Sequence, residues 1–391
     1  MKRIQTQQDL AINGAEPAFS ESLHVGRPNI GSREDFLKYT GEIFDRRWLT
    51  NNGPMVQEFE RRVADYHNVK HCVAMCNGTV ALEIAIRALG LENEVIIPSF
   101  TFVATAHALH WQGITPVFAD IDPATHNLDP ISVQHLITPR TTGIIAVHLW
   151  ARSAPTEALQ AVADEHDLTL MFDAAHAFGC SRKGTMVGNF GSCEVLSFHA
   201  TKFFNTFEGG AVLTNDDELV ETMQLMRNFG FAGMDNVIHP GTNGKMIEVS
   251  AAMGMANLDA IDSVIDANRR NYHTYREELS GLPGINLLSF DEAERQNYQY
   301  VVMEVSEKCP VTRDEIIQAL HAENVIARRY FWPGCHKMAP YRELYPHAGE
   351  VLPNTQRVAE RVVVLPTGPT MDEGMVRTVV SIIDVLLKDT G

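Results

Sequence analysis

The sequence predicts an α/β fold: a large domain built on a mostly parallel sheet of seven strands, followed by a smaller C-terminal α/β domain. Three observations lead to this prediction. Short apolar runs alternate with helical patterns between about residues 70 and 215. These runs are rich in Val and Ile, as in a sheet that helices cover on both faces. After about residue 260, longer amphipathic patterns replace the short runs.

The predicted strands and helices follow one another along the chain. The seven apolar runs are HCVAMC (71–76), EVIIP (94–98), TPVFADID (115–122), TTGIIAVHLW (141–150), LTLMFD (168–173), CEVLSF (193–198) and GGAVLTND (209–216). Helical patterns between them cover 79–89, 103–112 and 156–166. In the last amphipathic pattern, Thr370 and Glu373 have the spacing of a capping box.

These patterns divide the chain into an N-terminal arm (1–50), a large domain (51–250) and a small C-terminal domain (251–391). With 391 residues the chain is long enough for two domains that each have a core. The arm is expected to pack on the large domain or on a partner subunit.

The charge and the hydropathy limit the classes of partner. A net charge of −17 argues against nucleic acid or an anionic membrane as the main partner, because both require a basic surface. An anionic small molecule is compatible, since it needs only local N–H donors and a few cations. No apolar run has the length of a signal peptide or of a membrane span, so a cytoplasmic location is expected.

No metal site is predicted. The six cysteines are scattered, and we expect free thiols in a reducing compartment. Cys72 and Cys76 have no second matching pair. His107 and His110 have a spacing that metals use, but no third ligand lies nearby in the sequence.

Two residues at strand ends indicate chemistry, because ligands of such sheets bind beyond the carboxyl ends of the strands. Asp173 closes the run LTLMFD, where an Asp is about as often a simple helix cap. Lys202 follows CEVLSF by four residues, a position at which lysines are usually exposed. An apolar setting lowers a lysine pKa and frees the amine as a nucleophile, and four phenylalanines provide that setting here: Phe198, Phe203, Phe204 and Phe207.

A third strand end carries a candidate phosphate site. Asn77, Gly78 and Thr79 open the helix at 79–89, whose first N–H groups and positive dipole end favour a phosphate, although Asn-Gly also marks ordinary turns. An amine, an acid and a phosphate site are the set that pyridoxal 5′-phosphate (PLP) requires, with the acid keeping the pyridine nitrogen protonated. Phe102, in IIPSFTFVAT, is the candidate for stacking on the ring, with a core position as the alternative.

A series of ordered motifs spans nearly the whole chain: WLTNNGPMVQEFE, CNGTVAL, IIPSFTF, FADID, FDAAHAFG, SFHATK, EGGAVLTND, GTNGKM and RRYFWPGCH. Together they resemble the DegT/DnrJ family of nucleotide-sugar aminotransferases, which belong to the fold-type I PLP enzymes. VHLWARSA, FDAAHAFGC, FHATKFFNTFEGGAV and WPGCH are most similar to the C4 aminotransferases of dTDP-4-keto-6-deoxyglucose, which make a 4-amino-4,6-dideoxyglucose for antibiotic sugars.

The resemblance implies a role for each matching residue. Lys202 would bind the cofactor covalently, Asp173 would pair with the pyridine nitrogen, and Phe102 would stack on the ring. Asn243, in GTNGKM, would reach the phosphate from the other subunit, so the active unit would be a homodimer. The remaining phosphate ligands would be Gly78, Thr79 and Ser197.

Three further positions bear on the substrate and the cofactor. His176 stands where the wider family often has Gln, near the ring oxygen, so the hydrogen bond to that oxygen is left open. Arg328 and His336 match positions that line the sugar-nucleotide cleft, although Arg328 and its neighbour are equally well interpreted as an exposed pair. The lysine at 202 separates the chain from the related deoxysugar 3-dehydratases, which have histidine there.

The expected reaction is a ping-pong transamination. Glutamate would convert PLP to pyridoxamine phosphate, and a nucleotide-linked 4-keto-6-deoxyhexose would then receive the amine, with Lys202 moving the proton at each stage. Two alternatives stay open. One is amination at C3 of a related keto-sugar, which sequence spacing does not separate from C4. The other is a non-catalytic regulator that keeps the fold and binds PLP or a sugar nucleotide as a signal.

Overall fold

Residues 4–388, described by a computed structural model, form fourteen strands and thirteen α-helices. The strands are β1 (Leu23–His24), β2 (His71–Met75), β3 (Glu94–Pro98), β4 (Thr115–Ala119), β5 (Thr141–Val147), β6 (Thr169–Asp173), β7 (Ser181–Arg182), β8 (Thr185–Met186), β9 (Glu194–Ser197), β10 (Gly210–Thr214), β11 (Ile285–Leu287), β12 (Val301–Val305), β13 (Val325–Ile326) and β14 (Val362–Leu365). The helices are α1 (Arg33–Arg46), α2 (Pro54–His67), α3 (Gly78–Ala88), α4 (Ala104–His110), α5 (Pro130–Leu136), α6 (Thr156–Glu165), α7 (Asp217–Met226), α8 (Glu248–Asp259), α9 (Ile261–Glu278), α10 (Arg313–Ala322), α11 (Ala339–Leu344), α12 (Pro353–Ala359) and α13 (Glu373–Lys388).

Seven strands form one sheet in the order β2-β10-β9-β6-β5-β3-β4. Neighbouring strands are parallel, except that β10 is antiparallel to both β2 and β9. Each strand lies within one of the seven predicted apolar runs. The predicted fold class, a large and mostly parallel α/β sheet, is confirmed.

Helices cover both faces of this sheet, which is why its strands are apolar throughout. Along β2 the side chains alternate between the two faces. Cys72 and Ala74 belong to the core that the sheet shares with α2 and α8. Val73 and Met75 belong to the core on the opposite face, with α3, α4 and α7.

The C-terminal part contains a second, antiparallel sheet in the order β11-β12-β14, with α9, α10 and α13 packed in the same region. The predicted capping box is wrong. Helix α13 begins at Glu373, and the Asp372 carboxylate accepts the Met375 N–H at 2.8 Å, so Asp372 takes the role expected of Thr370. The predicted apolar stripe does face the core: Val376, Val379, Val380, Ile383 and Leu387 are all buried.

The N-terminal segment differs from expectation. Residues before 25 pack on the C-terminal part, because Leu10, Phe19 and Leu23 fill its hydrophobic core. Strand β1 also pairs in parallel with β13. Only α1 packs on the side of the large sheet, against α8. The predicted domain limits at residues 50 and 250 stay a prediction.

Among the described residues, none of the helices combines the length and the apolar character that crossing a membrane requires.

Glu323 anchors the N-terminal segment. Its buried carboxylate accepts the N–H groups of Ala11 at 2.5 Å and of Ala18 at 2.6 Å. Replacing Glu323 with Ala should lower the free energy of unfolding in urea by about 2–4 kcal/mol, because two N–H groups lose their acceptor. Glu343→Ala, on the exposed side of α11, should change it by less than about 0.5 kcal/mol. Equal losses in the two variants would contradict this anchoring role.

Candidate active site

The sheet brings the predicted strand-end residues to one edge. Asp173 is the last residue of β6 and Ser197 the last residue of β9. Gly78 begins α3, two residues after β2 ends at Met75 and Cys76-Asn77 intervene. Because β2, β9 and β6 run in the same direction, their carboxyl ends meet at this edge.

The start of α3 lies directly against the end of β9. A Cβ atom on Gly78 would lie 3.0 Å from the Cβ of Ser197, so only glycine allows this approach without a shift. The Asn77 side chain accepts the Val80 N–H at 2.8 Å and caps the helix. The N–H groups of Gly78 and Thr79, in the first turn, have no acceptor within the helix and suit an anion.

Gly210, which the sequence reasoning did not single out, makes this approach possible. It begins β10 and pairs with Ser197 on one side and with Met75 on the other. A Cβ atom there would lie 2.6 Å from the backbone nitrogen of Gly78. The EGGAV motif carried this signal, since a glycine within a strand often marks a close backbone approach.

Asp173 is a buried acid with fixed partners. Its Oδ2 accepts the Thr105 hydroxyl at 2.9 Å, and its Oδ1 accepts the Ala175 N–H at 3.1 Å. Burial raises its pKa, and these two hydrogen bonds and the charge of Lys202 oppose that rise. A buried carboxylate of this kind is stabilised by a cationic N–H partner. Thr105 lies 68 residues away in sequence, and nothing in the sequence pointed to it.

Lys202 lies in a turn beside this acid. Its N–H donates to the His199 carbonyl at 2.8 Å, and Phe203 and Phe204, which follow it, are buried. Burial lowers the pKa of Lys202 to about 8, while the charge of Asp173 acts in the opposite direction. A larger share of this amine is therefore unprotonated near neutral pH than for an ordinary lysine.

Phe102 is available to a ligand. It is 56% exposed, whereas Phe100 is buried, so the alternative core position does not apply. Its ring lies 6.4 Å from that of Phe331, at a tilt of 60°.

His176 is buried among aromatic rings. It stacks on Phe331 at 5.8 Å and on Trp150 at 6.2 Å. Burial and the charge of Lys202 lower its pKa well below the usual range, so the imidazole is neutral. Its Nδ1 accepts the Trp150 N–H at 3.4 Å, which places the ring proton on Nε2. His176 therefore presents an N–H donor, as a glutamine amide does.

Asn243 is exposed and lies at the base of a loop, where it bridges to Asn228. The next residue, Gly244, accepts the Cys76 N–H through its carbonyl at 2.8 Å. This bond places the segment around Asn243 beside the residues that precede α3 in the same chain.

The two predicted substrate residues lie in different settings. His336 is buried, with its Nδ1 2.7 Å from the Ser99 hydroxyl, and burial lowers its pKa to about 4. Arg328 is exposed, and its guanidinium lies 4.8 Å from the centre of the Tyr330 ring. It lines a cavity of about 320 Å³ whose described lining residues do not include Lys202 or Asp173.

The strand-end residues fit PLP. Gly78 and Gly210 leave open the space that a Cβ would fill at the start of a helix, as a phosphate requires. Asp173 is a buried acid that suits the pyridine nitrogen, and Lys202 is an amine with a lowered pKa beside it. The fold and this site define a PLP-dependent enzyme of fold type I.

The sequence profile of the DegT/DnrJ/EryC1/StrS aminotransferase family matches residues 31–384. The chain belongs to this family, as the sequence motifs predicted.

Named relatives and a solved structure are similar over nearly the whole chain. A dTDP-4-amino-4,6-dideoxy-D-glucose transaminase from Shigella dysenteriae is 37% identical over 363 residues, which cover 92% of this chain and 98% of the relative. A GDP-perosamine synthase from Caulobacter vibrioides is 34% identical, over 93% of this chain and 98% of its own. The crystal structure of DesI in the presence of its TDP-sugar product is 48% identical, with a TM-score of 0.94, and the match covers 98% of this chain and 97% of that one.

A glycine replacement tests the predicted phosphate site. If Gly78 borders the phosphate, Gly78→Ala should raise the Kd for PLP by about tenfold or more, since the new Cβ displaces Ser197 or the helix start. Titration of the cofactor-free protein with PLP measures this. Gly41→Ala, in α1 where a Cβ has open space, should leave the Kd unchanged. Unaltered affinity in Gly78→Ala would place the phosphate elsewhere.

Proposed function

We propose that this chain transfers the amino group of L-glutamate to dTDP-4-keto-6-deoxy-D-glucose and forms dTDP-4-amino-4,6-dideoxy-D-glucose. One observation carries the transamination: an amine of lowered pKa, Lys202, lies beside the buried acid Asp173 at the ligand-binding edge of the sheet. The names of the relatives from Shigella dysenteriae and Escherichia coli, and the sugar product in the DesI structure, support the choice of sugar.

The chain's residues divide the work of holding the cofactor. Bound PLP supplies an electron-accepting ring that weakens the C–H bond next to the transferred nitrogen. Asp173 keeps the pyridine nitrogen protonated, since a buried carboxylate needs a cationic partner. Phe102 covers one face of the ring with its exposed side chain, and the Nε2–H of His176 donates to the ring oxygen. The phosphate is held by Gly78, Thr79 and Ser197.

Lys202 has two duties in this proposal. It attaches the cofactor through its amine, and once displaced it moves the proton between the substrate carbon and the cofactor. A pKa of about 8 suits the second duty, because both the free amine and the ammonium are populated near neutral pH. Burial beside Phe203 and Phe204 also keeps water away from the proton that it carries.

A homodimer is part of the proposal. The loop at 228–243 carries five exposed apolar side chains, a surface that a monomer rarely leaves in water: Phe229, Phe231, Met234, Val237 and Ile238. Helix α1 adds the exposed Leu37 and Phe44. A partner copy would cover these residues, and we propose that Asn243, at the base of the same loop, reaches the partner's phosphate.

Several finer expectations accompany the proposal. Arg328 and His336 are proposed to line the sugar-nucleotide cleft. The cytoplasmic location and a place in antibiotic-sugar biosynthesis stay predictions from the sequence.

Lys202→Ala tests the cofactor lysine. Borohydride should fix PLP to the peptide that contains Lys202 in the unaltered protein, as mass spectrometry detects. The variant should still bind PLP without covalent attachment, and its turnover should fall by about a hundredfold or more. Lys183→Ala removes an exposed lysine that pairs with Glu157 and should retain full activity. Normal turnover in Lys202→Ala would refute the proposal.

A panel of keto-sugars tests the substrate. With L-glutamate and dTDP-4-keto-6-deoxy-D-glucose we expect bleaching of the yellow cofactor by glutamate, then a 4-amino product identified by NMR. The panel includes dTDP-3-keto-6-deoxy sugars and GDP-linked 4-keto-6-deoxy sugars. A 3-amino product would assign the reaction to C3, and a bound cofactor that glutamate leaves unchanged would favour the regulator.

A further inference from the structure

A short segment of the N-terminal region crosses the loop that carries Lys202. We call residues 26–31 the crossing segment. Two glycines bring its backbone close to the large domain: a Cβ on Gly26 would lie 2.8 Å from the Thr201 carbonyl oxygen, and a Cβ on Gly31 would lie 2.3 Å from the Ala256 carbonyl oxygen. The first of these contacts is with the residue that directly precedes Lys202.

Reciprocal amide bonds join the crossing segment to the other side of Lys202. The Asn29 side chain donates from Nδ2 to the Phe203 carbonyl at 2.9 Å. In return, Asn205 donates from its Nδ2 to the Asn29 carbonyl at 2.8 Å. The Asn29 bond therefore ends on the residue that directly follows Lys202.

A third asparagine extends this network to α8. Asn257 accepts the Gly31 N–H on its Oδ1 at 2.7 Å and donates from Nδ2 to the Asn205 carbonyl at 2.8 Å. Asn205 and Asn257 are both buried, so these bonds do not compete with bulk water.

The ends of the crossing segment are anchored on different parts of the fold. Before it, β1 pairs with β13 beside the small sheet. After it, α1 packs on α8. Asn29 also faces the loop that follows β14, because a Cβ on Gly368 would lie 3.6 Å from the Asn29 Oδ1. Asn29 thus lies where the small domain, the crossing segment and the Lys202 loop meet.

We propose that Asn29 is a positioning residue for Lys202. The proposal rests on the proposed function of Lys202 as the cofactor lysine. On the N-terminal side, the turn bond from the Lys202 N–H to the His199 carbonyl fixes the backbone. On the C-terminal side, the Asn29 amide holds the adjacent carbonyl. Asn29 therefore couples the placement of the lysine to that of the small domain.

The chain offers a matched control. Asn324 donates from Nδ2 to the Phe19 carbonyl at 2.7 Å, the same kind of bond to the same N-terminal region, next to β13 in the small domain. Asn29→Asp and Asn324→Asp each replace the amide donor by a carboxylate oxygen of equal size. A bond that only ties down the N-terminal region predicts the same outcome for both variants.

Hydrogen exchange of the full-length holoenzyme and of the cofactor-free protein separates these outcomes. In Asn29→Asp we expect amides in a peptide covering 199–206 to exchange about tenfold faster, the effect of losing one hydrogen bond. In Asn324→Asp that peptide should exchange as in the unaltered protein. Covalent fixation of added PLP to Lys202, trapped with borohydride, should be slower by a similar factor only in Asn29→Asp. Asn29→Ala, which adds no charge, serves if the aspartate variant does not fold.

The results also distinguish the two levels of the proposal. Equal exchange of the 199–206 peptide in the Asn29 and Asn324 variants would overturn the positioning role and leave the cofactor lysine intact. Fixation of PLP to a lysine other than Lys202 in the unaltered protein would overturn the proposed function, and with it the role of Asn29.

Discussion

The burial of Asp173 beside Lys202 is the constraint on which the site depends. Taking a carboxylate out of water raises its pKa, and the same burial lowers the pKa of the amine. Each group opposes the shift of the other, so removing one would leave the second uncompensated. The Thr105 hydroxyl and the Ala175 N–H each stabilise one oxygen of the acid. A pair balanced in this way can hold a protonated ring nitrogen and still release a proton near neutral pH.

The sheet topology sets the rest of the site around that pair. The antiparallel strand β10 lies between β2 and β9, so the start of α3 and the end of β9 meet across it. Gly210 lacks the Cβ that would push them apart, and Gly78 lacks the one that would strike Ser197. Backbone geometry therefore prepares the phosphate site, and this explains why two glycines matter there more than any charged side chain.

The sequence predicted those features that local pattern determines. The strands of the large sheet were found because burial on both faces makes them apolar throughout, and the phenylalanines around Lys202 indicated a lowered pKa. Features that depend on distant contacts were missed. Thr105 reaches Asp173 from a helix with no distinguishing pattern, and residues before 25 enter a core formed hundreds of residues later. At α13, Thr370 and Asp372 offered competing caps, and the helix starts after the second.

Selectivity for the sugar needs groups other than those that perform the chemistry, since Lys202 and Asp173 act on atoms common to every amino transfer. The two predicted cleft residues differ in what they can contribute. His336 is neutral, because burial lowers its pKa to about 4, and it is bonded to Ser99, so it has no charge to offer a diphosphate. Arg328 is exposed, keeps a planar guanidinium and stacks on Tyr330. Of the two, Arg328 therefore has the chemistry to bind a nucleotide's phosphates, whereas His336 acts on the shape of the cleft through the backbone near Ser99.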